Sequence, residues 1–147
     1  MLKAILAIDD DGGVSRSGSM PWLKNSSDLK WFKKNTLNQV VIMGSLTWID
    51  PKIPTPLLDR INVLVTSKSP SLFPGAHNYI SGNLNTQVTK IISEYDKLDK
   101  WVIGGPNIVD QLFDIIDTFY LTRIYGNFSC DKRLNLQKIY HTACIKK

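Results

Sequence analysis

The chain has 147 residues, 43% of them apolar and 21% charged, a size and composition typical of one globular domain. No segment approaches the roughly eighteen consecutive apolar residues of a membrane-spanning helix. The short apolar N-terminus runs into three aspartates without a secretory cleavage site. We therefore predict a single domain over residues 1–147, cytoplasmic and without membrane contact.

The net charge of +5 would suit an acidic partner such as nucleic acid. The lysines and arginines, however, are scattered along the chain, and no nucleic-acid recognition motif accompanies them. A solvated basic surface is therefore favoured over a nucleic-acid site, and no nucleic-acid partner is predicted. A small ligand with several phosphates or carboxylates would suit the net charge equally well. No metal is expected either, because the cysteines and histidines form no ligand pattern; they are Cys130, Cys144, His77 and His141.

Six short runs rich in Val and Ile are predicted strands; in chain order they read KAILAID, QVVIMG, INVLVTS, HNYIS, KWVIGG and TFYLTRIYG. Several are apolar without alternation, which indicates burial on both faces, and helix-length segments separate them, which favours parallel pairing. The predicted fold is α/β, with a mostly parallel central sheet flanked by helices on both faces. The tail RLNLQKIYHTACIKK leaves room for one strand, so the C-terminal edge of the sheet should be short.

Helical spacing predicts four helices; they read SSDLKWFKKNT, a short helix opening at SLTWID, NTQVTKIISEYDKL and PNIVDQLFDII. In the third, Val88, Ile91, Ile92 and Tyr95 share one face, and Asn85 or Thr86 would cap its N-terminus. The stretches DDDGGVSRSGSMP and DPKIPTPLLDR read as loops, because they are rich in Gly, Ser, Asp or Pro.

Three predicted strands end in residues that suit an anionic ligand. These ends are Gly44 to Thr47, Thr66 to Lys68, and Gly104 to Asn107, and the carboxyl ends of parallel strands meet at one edge of a sheet. Helix starts after Gly44 and Gly105 would offer free backbone N–H groups to phosphates. Each signal alone is weak, because such turns also occur without a ligand, and neither GxGxxG nor a P-loop is present.

Asp28 lies at the start of the first predicted helix, among aromatic residues. If Ser26 or Ser27 caps the helix, Asp28 shares a face with Trp31 and Phe32. It would then be a partly buried acid able to handle a proton. Alternatively, Asp28 is itself the N-cap, with its carboxylate bound to backbone N–H groups. The pattern does not separate the two.

Arg60 and Trp22 each have two interpretations. Arg60 could bind a ligand carboxylate or pair with Asp59 at the surface, and the residue pattern favours the surface pair. Trp22 could cover the edge of the core or form a wall of a pocket.

The motifs MPW, DLKWFKKNT, VIMGSLTW, NVLVTS, WVIGGPNI and YLTRI occur in the order and spacing found in dihydrofolate reductases. The chain resembles this family over roughly residues 4 to 131. The resemblance implies a monomeric enzyme that transfers a hydride from NADPH to the C=N bond of 7,8-dihydrofolate, giving tetrahydrofolate. It also reverses the preference at Arg60.

On the substrate side, the resemblance implies that Asp28 assists protonation of the ring nitrogen next to the hydride acceptor. Trp22 would hold a water near this acid, Thr122 would be its hydroxyl partner, and Arg60 would bind the glutamate carboxylate of the substrate. The implied catalytic residues are thus Asp28, Trp22 and Thr122. The implied substrate-binding residues are Ile5, Leu6, Asp28, Leu29, Phe32, Arg60, Ile103 and Thr122.

On the cofactor side, the resemblance implies two phosphate-facing helix starts, an adenosine-phosphate segment and a mobile loop from Gly12 to Met20. Asp131 would be the acidic partner of this loop. The implied NADPH-binding residues are Ala7, Val14, Ser19, Met20, Gly44, Ser45, Leu46, Thr47, Thr66, Ser67, Lys68, Ile103, Gly104, Gly105, Pro106, Asn107, Ile108 and Val109.

Three positions depart from the family pattern. Ser45 stands where the family commonly has Arg or Lys, and Lys68 is the cation that could compensate. Ser15 replaces a loop glycine, and Val109 replaces a tyrosine near the nicotinamide. Two alternatives on the same fold therefore stay open: a non-catalytic folate- or nucleotide-binding or structural module, and a pyrimidine reductase of riboflavin synthesis.

Overall fold

A computed structural model describes residues 2–17, 20–22, 26–50, 53–142 and 144–146. The strands are β1 (Leu2–Ile8), β2 (Gly13–Ser15), β3 (Val40–Gly44), β4 (Ile61–Val65), β5 (Asn78–Ile80), β6 (Lys100–Gly104), β7 (Thr118–Arg123), β8 (Lys132–Arg133) and β9 (Cys144–Lys146). The helices are α1 (Ser26–Thr36), α2 (Ser45–Trp48), α3 (Leu84–Glu94), α4 (Pro106–Leu112) and α5 (Leu136–Thr142). Single 3₁₀ turns cover Pro70–Leu72 and Phe113–Ile115. None of the helices in these ranges is long and apolar enough to cross a membrane.

The main sheet has seven strands in the order β5-β4-β3-β6-β1-β7-β9. Every neighbouring pair in it runs parallel. All five residues of β3 and all five of β6 are buried, which matches their continuous apolar sequence. The predicted mostly parallel α/β sheet is thus confirmed. The small antiparallel sheet of β2 and β8 was not predicted, because two or three residues carry no periodic signal.

Helices cover both faces of the sheet, as predicted. On one face, Val88 and Ile91 of α3 and Leu112 of α4 pack against β-strand residues such as Ile42 and Val102. On the other face, Trp31 and Phe32 of α1 and Trp48 of α2 pack around a second set of strand side chains; these include Ile5, Met43, Leu64, Trp101 and Ile103. Alternate residues of each central strand therefore serve two apolar clusters.

The N-cap predicted for the third helix is wrong by two or three residues. The helix begins at Leu84, and the side chain of Asn83 accepts a hydrogen bond from the backbone N–H of Thr86. Asn83 precedes a buried leucine that belongs to the helical face. Asparagine is as good an N-cap as serine, so the nearest good cap before the first apolar residue was the better choice.

The C-terminal segment contains one strand, as predicted, and one helix that was not predicted. Strand β9 pairs with β7 in parallel, with Cys144 opposite Thr118. Because the two strands run in the same direction, α5 forms the crossover between them. Its Ile139 is 2% exposed and packs into the core. The edge strand is only three residues long, in line with the short edge expected.

Candidate active site

The carboxyl ends of the central parallel strands open into one cavity of about 1450 Å³. Its walls come from the ends of β1, β3, β4 and β6, from α1, and from the starts of α2 and α4. The predicted site residues that line it are Ile5, Leu6, Ala7, Val14, Met20, Asp28, Leu29, Phe32, Gly44, Ser45, Leu46, Thr47, Arg60, Thr66, Ser67, Lys68, Ile103, Gly104, Gly105, Pro106, Asn107 and Ile108. The cavity thus lies at the carboxyl ends of the parallel strands, where the rule for open α/β sheets places a ligand crevice.

Of the predicted site residues that the structure describes, three do not line the cavity. Val109 is 1% exposed and packs in the core beneath α4, so it is not placed as a cofactor contact. Trp22 is buried, with its ring edge-on to Phe128 at 5.6 Å between ring centroids. Thr122 lies on β7, where its side chain is hydrogen-bonded to Asp28. Ser19 lies outside the described residues.

Asp28 occupies the first turn of α1 and faces the cavity. Since the helix begins at Ser26, Asp28 is its third residue, and the alternative that Asp28 is the N-cap is wrong. Burial raises the pKa of the Asp28 carboxyl, while the hydrogen bond with Thr122 opposes this rise. Phe32, one turn later, lines the cavity beside it. The site thus holds a half-buried acid next to an aromatic wall.

Arg60 also faces the cavity, and two hydrogen bonds hold its side chain. Its Nε donates to Thr36 Oγ1 at 3.2 Å, and its Nη1 donates to the carbonyl of Leu58 at 2.9 Å. The guanidinium carbon lies 5.8 Å from the centre of the Phe32 ring. Burial lowers the pKa of Arg60, and nearby Asp59 opposes that effect. In the described structure Arg60 and Asp59 make no direct ion pair, so the surface pair that the residue pattern alone favoured is not formed.

The opposite part of the cavity is built from helix starts and short polar side chains. Gly104 has φ of +131°, a conformation that disfavours any side chain. A Cβ atom placed there would lie 3.2 Å from Thr47 Oγ1. The peptide between Gly104 and Gly105 is cis, and Pro106 opens α4. The backbone here can approach a ligand closely, in the same cavity that Ser67 and Lys68 line.

A further wall comes from β2 and the loop after it. Val14, Ser15 and Met20 line the cavity. The loop is held by Asp131, whose carboxylate accepts from the backbone N–H of Ser17 at 2.9 Å. The backbone N–H of Asp131 in turn donates to the carbonyl of Ser15 at 3.1 Å. The acidic residue expected to contact this loop does so.

Several lining residues were not predicted. Ser81 and Gly82 follow β5 at the same edge of the sheet, so the rule that found Thr66 and Ser67 would have found them too. Most of the others lie in loops, on outward helix positions or on β8, where sequence periodicity carries no signal; these are Asp50, Ile53, Leu57, Leu58, Asp110, Gln111, Lys132 and Arg133.

Comparison with known proteins agrees with this geometry. Residues 1–142 match the family model described as "Dihydrofolate reductase". The chain is 31% identical over 144 residues to a viral dihydrofolate reductase of Saimiriine herpesvirus 2, which covers 89% of this chain and 67% of that protein. It is 29% identical over 146 residues to the dihydrofolate reductase of Mycoplasma pneumoniae, covering 92% and 84% of the two chains.

Among solved structures, the chain is similar to a dihydrofolate reductase from Enterococcus faecalis complexed with NADP(H) and RAB-propyl. The two share 26% sequence identity and superpose with a TM-score of 0.76. The alignment covers 93% of this chain and 80% of the other. The likeness therefore extends over nearly all of this chain.

Proposed function

Since the chain belongs to the dihydrofolate reductase family, it is an NADPH-dependent reductase of 7,8-dihydrofolate, and we propose that Asp28 assists the proton transfer of this reaction. The reduction adds a hydride to the carbon of the substrate's C=N bond and a proton to the neighbouring nitrogen. NADPH, when bound, supplies the hydride. The proton must come from solvent or from an acid in the cavity. Asp28 is an acid that lines the cavity on the same helix as the aromatic ring of Phe32.

The observation that carries this proposal is the environment of Asp28. Its carboxyl is half-buried among apolar side chains, and this burial raises its pKa, so that it keeps a proton to higher pH than an exposed aspartate does. Thr122 holds the carboxyl by a side-chain hydrogen bond. In its charged form the same group would pair with the amidine-like edge of a pterin ring.

The other end of the cavity fits the cofactor. Gly104, which cannot carry a side chain without strain and a close contact with Thr47, leaves room for a dinucleotide beside the starts of α2 and α4. We propose that backbone N–H groups at these helix starts hold the pyrophosphate. Thr66, Ser67 and Lys68 would hold the adenosine phosphate, and Lys68 would partly replace the cation missing at Ser45.

Arg60 supports the proposed binding of the substrate's tail. Its Nε and one Nη group are fixed by Thr36 and Leu58, and the residue lines the cavity next to Leu29 and Phe32. A guanidinium held in this way loses little conformational freedom when it binds a carboxylate. The glutamate part of the substrate carries such a carboxylate.

We propose further that the protein is a cytoplasmic monomer folded as one domain over residues 1–147. The six strand pairings of the main sheet join the first strand to the last, which supports one folding unit. Size-exclusion chromatography with light scattering would test the monomer, and a species of twice 16.6 kDa would contradict it.

The function is tested by following the loss of NADPH absorbance with dihydrofolate present. Asp28→Asn should lose most of the activity near neutral pH while the affinity for NADPH stays unchanged, because the phosphate-facing groups are untouched. In the unsubstituted enzyme, the rate should fall as pH rises through the pKa of Asp28, and a diaminopteridine antifolate should abolish it. Turnover of Asp28→Asn equal to that of the unsubstituted enzyme would contradict the proposed role.

Arg60→Ala tests the substrate end separately. It should weaken the binding of dihydrofolate and leave that of a tail-less dihydropterin unchanged, since only the former has a glutamate carboxylate. An equal loss for both substrates would refute the proposed contact.

A further inference from the structure

Asp9 is a buried carboxylate that the reaction chemistry does not use. It directly follows β1, is 1% exposed and accepts four hydrogen bonds. Its Oδ1 accepts from the backbone N–H groups of Asp11 at 2.9 Å and Gly13 at 2.8 Å. Its Oδ2 accepts from the backbone N–H of Phe128 at 3.1 Å and from the thiol of Cys130 at 3.5 Å. Both oxygens are therefore saturated.

The balance of forces keeps this carboxylate ionised. Burial alone would raise the pKa of Asp9, but the backbone N–H groups of Phe128, Gly13 and Asp11 outweigh it, and the net pKa is lowered. An ionised group bound by several N–H dipoles forms stronger hydrogen bonds than a neutral one. Breaking these bonds leaves a buried charge without compensation, which is costly.

The four bonds join two segments that are far apart in the sequence. One is the turn from Asp9 to Gly13, which leads into Val14 and Ser15 of the cavity wall. The other is the segment from Gly126 to Cys130, in which Phe128 lies 119 residues after Asp9. The Phe128 ring packs edge-on against Trp22, and its carbonyl accepts from Arg16 Nη1 at 3.1 Å. Asp9 thus connects the Val14 wall with the support of Trp22.

We propose that Asp9 is a positioning residue for hydride transfer. It sets the place of the Val14–Ser15 wall of the cavity, and through Phe128 it fixes Trp22. This inference rests on the proposed function, because it concerns the geometry of the cofactor-facing wall. A small displacement of such a wall slows the reaction much more than it changes the binding of a distant part of the substrate.

The two following aspartates supply matched controls. Asp10 accepts from Arg123 and from the backbone N–H of Gly126, and Asp11 accepts from the side-chain amide of Asn127. Both are exposed, so their bonds compete with water and contribute little. Asp11→Asn keeps an oxygen that can accept from Asn127, while it removes the same charge as Asp9→Asn.

The test compares Asp9→Asn with Asp11→Asn. In either orientation of the amide that Asp9→Asn introduces, an N–H₂ group faces donors that need an acceptor, so half of the bonds are lost. In single-turnover experiments with NADPH deuterated at the transferred position, Asp9→Asn should slow hydride transfer by about tenfold or more. The Kd of Asp9→Asn for dihydrofolate should change by less than about twofold. The hydride-transfer rate of Asp11→Asn should also change by less than about twofold.

Two results would overturn the inference: a hydride-transfer rate in Asp9→Asn equal to that of the unsubstituted enzyme, or the same loss in Asp11→Asn. If Asp9→Asn does not fold, Phe128→Leu replaces it, because this change keeps an apolar side chain and removes the ring from Trp22. Hydride transfer unchanged in Phe128→Leu would then reject the inference. Absence of any NADPH oxidation by the unsubstituted protein would instead reject the proposed function.

Discussion

Thr36 links Arg60 to the backbone of α1. Arg60 Nε donates to Thr36 Oγ1 at 3.2 Å, and Thr36 Oγ1 donates to the carbonyl of Phe32 at 2.9 Å. Thr36 is fully buried and both bonds are partly buried, so water competes less for them than for an exposed bond. Because the guanidinium also lies over the Phe32 ring, α1 holds Arg60 by both its last turn and its aromatic side chain. Thr36 is thus placed to orient the arginine without touching a ligand.

Thr36→Val should raise the KM for dihydrofolate by about fivefold, since a hydrogen bond to a charged group is lost and Arg60 Nε is left without its acceptor. The kcat should stay nearly constant, because the change affects the tail and not the reacting ring. Steady-state kinetics with dihydrofolate and a tail-less dihydropterin measure both effects. Thr36→Ser keeps the hydroxyl and should restore the KM.

Thr89→Val is the matched control for this prediction. Thr89 makes the same bond within a helix, from its hydroxyl to the carbonyl four residues earlier, at 2.7 Å, but in an exposed position on α3. Thr89→Val should leave both the KM for dihydrofolate and the kcat unchanged. A KM that rises equally for the tail-less substrate in Thr36→Val would show that Thr36 stabilises the fold and does not orient Arg60.

Asp28→Asn should raise the Tm at neutral pH although it lowers activity. The pKa of Asp28 is raised in the folded protein, so above that pKa the buried charge costs the folded state free energy. As pH falls through the folded pKa, protonation removes this cost, and the two proteins should become equally stable. Since Asp28 is only half-buried and solvent screens its charge, the gain should be small, about 1–3 °C.

Thermal unfolding at pH 7 and in acid measures this difference. Asp96→Asn, at an exposed position after α3 and outside the cavity, controls for the loss of one negative charge. A lower Tm in Asp28→Asn at pH 7, or a gain that persists in acid, would show that burial does not determine the pKa of Asp28.

Cys130 should be inert to alkylation in the folded protein. Burial, the hydrogen bond to Asp9 and its charge raise the pKa of the thiol to about 11, so at pH 8 only about one thiol in a thousand is ionised. Iodoacetamide labelling followed by mass spectrometry of the peptide with Cys130 measures this. The label should be negligible in the folded protein and complete in guanidinium chloride.

Asp9→Asn should make Cys130 react faster, because it removes the neighbouring negative charge that opposes the thiolate. Asp11→Asn again serves as the control and should not change the rate. Labelling of the folded, unsubstituted protein at the rate of an exposed cysteine would contradict both the burial of Cys130 and its bond to Asp9.

The sequence was sufficient to predict the parts of the fold that depend on local patterns. The bounds of α1 and the burial of β3 and β6 follow from apolar spacing, and the rule for parallel sheets placed Gly44, Thr66 and Gly104 at one cavity. The sequence was insufficient to predict β2, β8 and α5, because these elements are stabilised by contacts with distant segments.

The same limit applies to the site. Asp28 and Arg60 each had two interpretations until the start of α1 and the position of Thr36 were known. The role of Asp9 gave no signal, because two of its four partners, Phe128 and Cys130, lie 119 and 121 residues away. A buried acid that is saturated by backbone N–H groups cannot be distinguished in sequence from an exposed loop aspartate.

Gly104→Ala should destabilise the protein by about 1–3 kcal/mol, because φ of +131° is a region that almost only glycine adopts. The new Cβ would also lie 3.2 Å from Thr47 Oγ1, so Thr47→Ala in the same chain should recover part of the loss. Gly82→Ala is the control: its φ is +81° and no atom lies within 4 Å of the new Cβ, so only a smaller backbone cost is expected. Urea unfolding measures the free energy of unfolding of Gly104→Ala, of Gly104→Ala with Thr47→Ala, and of Gly82→Ala. If Gly104→Ala and Gly82→Ala lose equal stability, and Thr47→Ala recovers none of it, the contact with Thr47 is relieved at no cost.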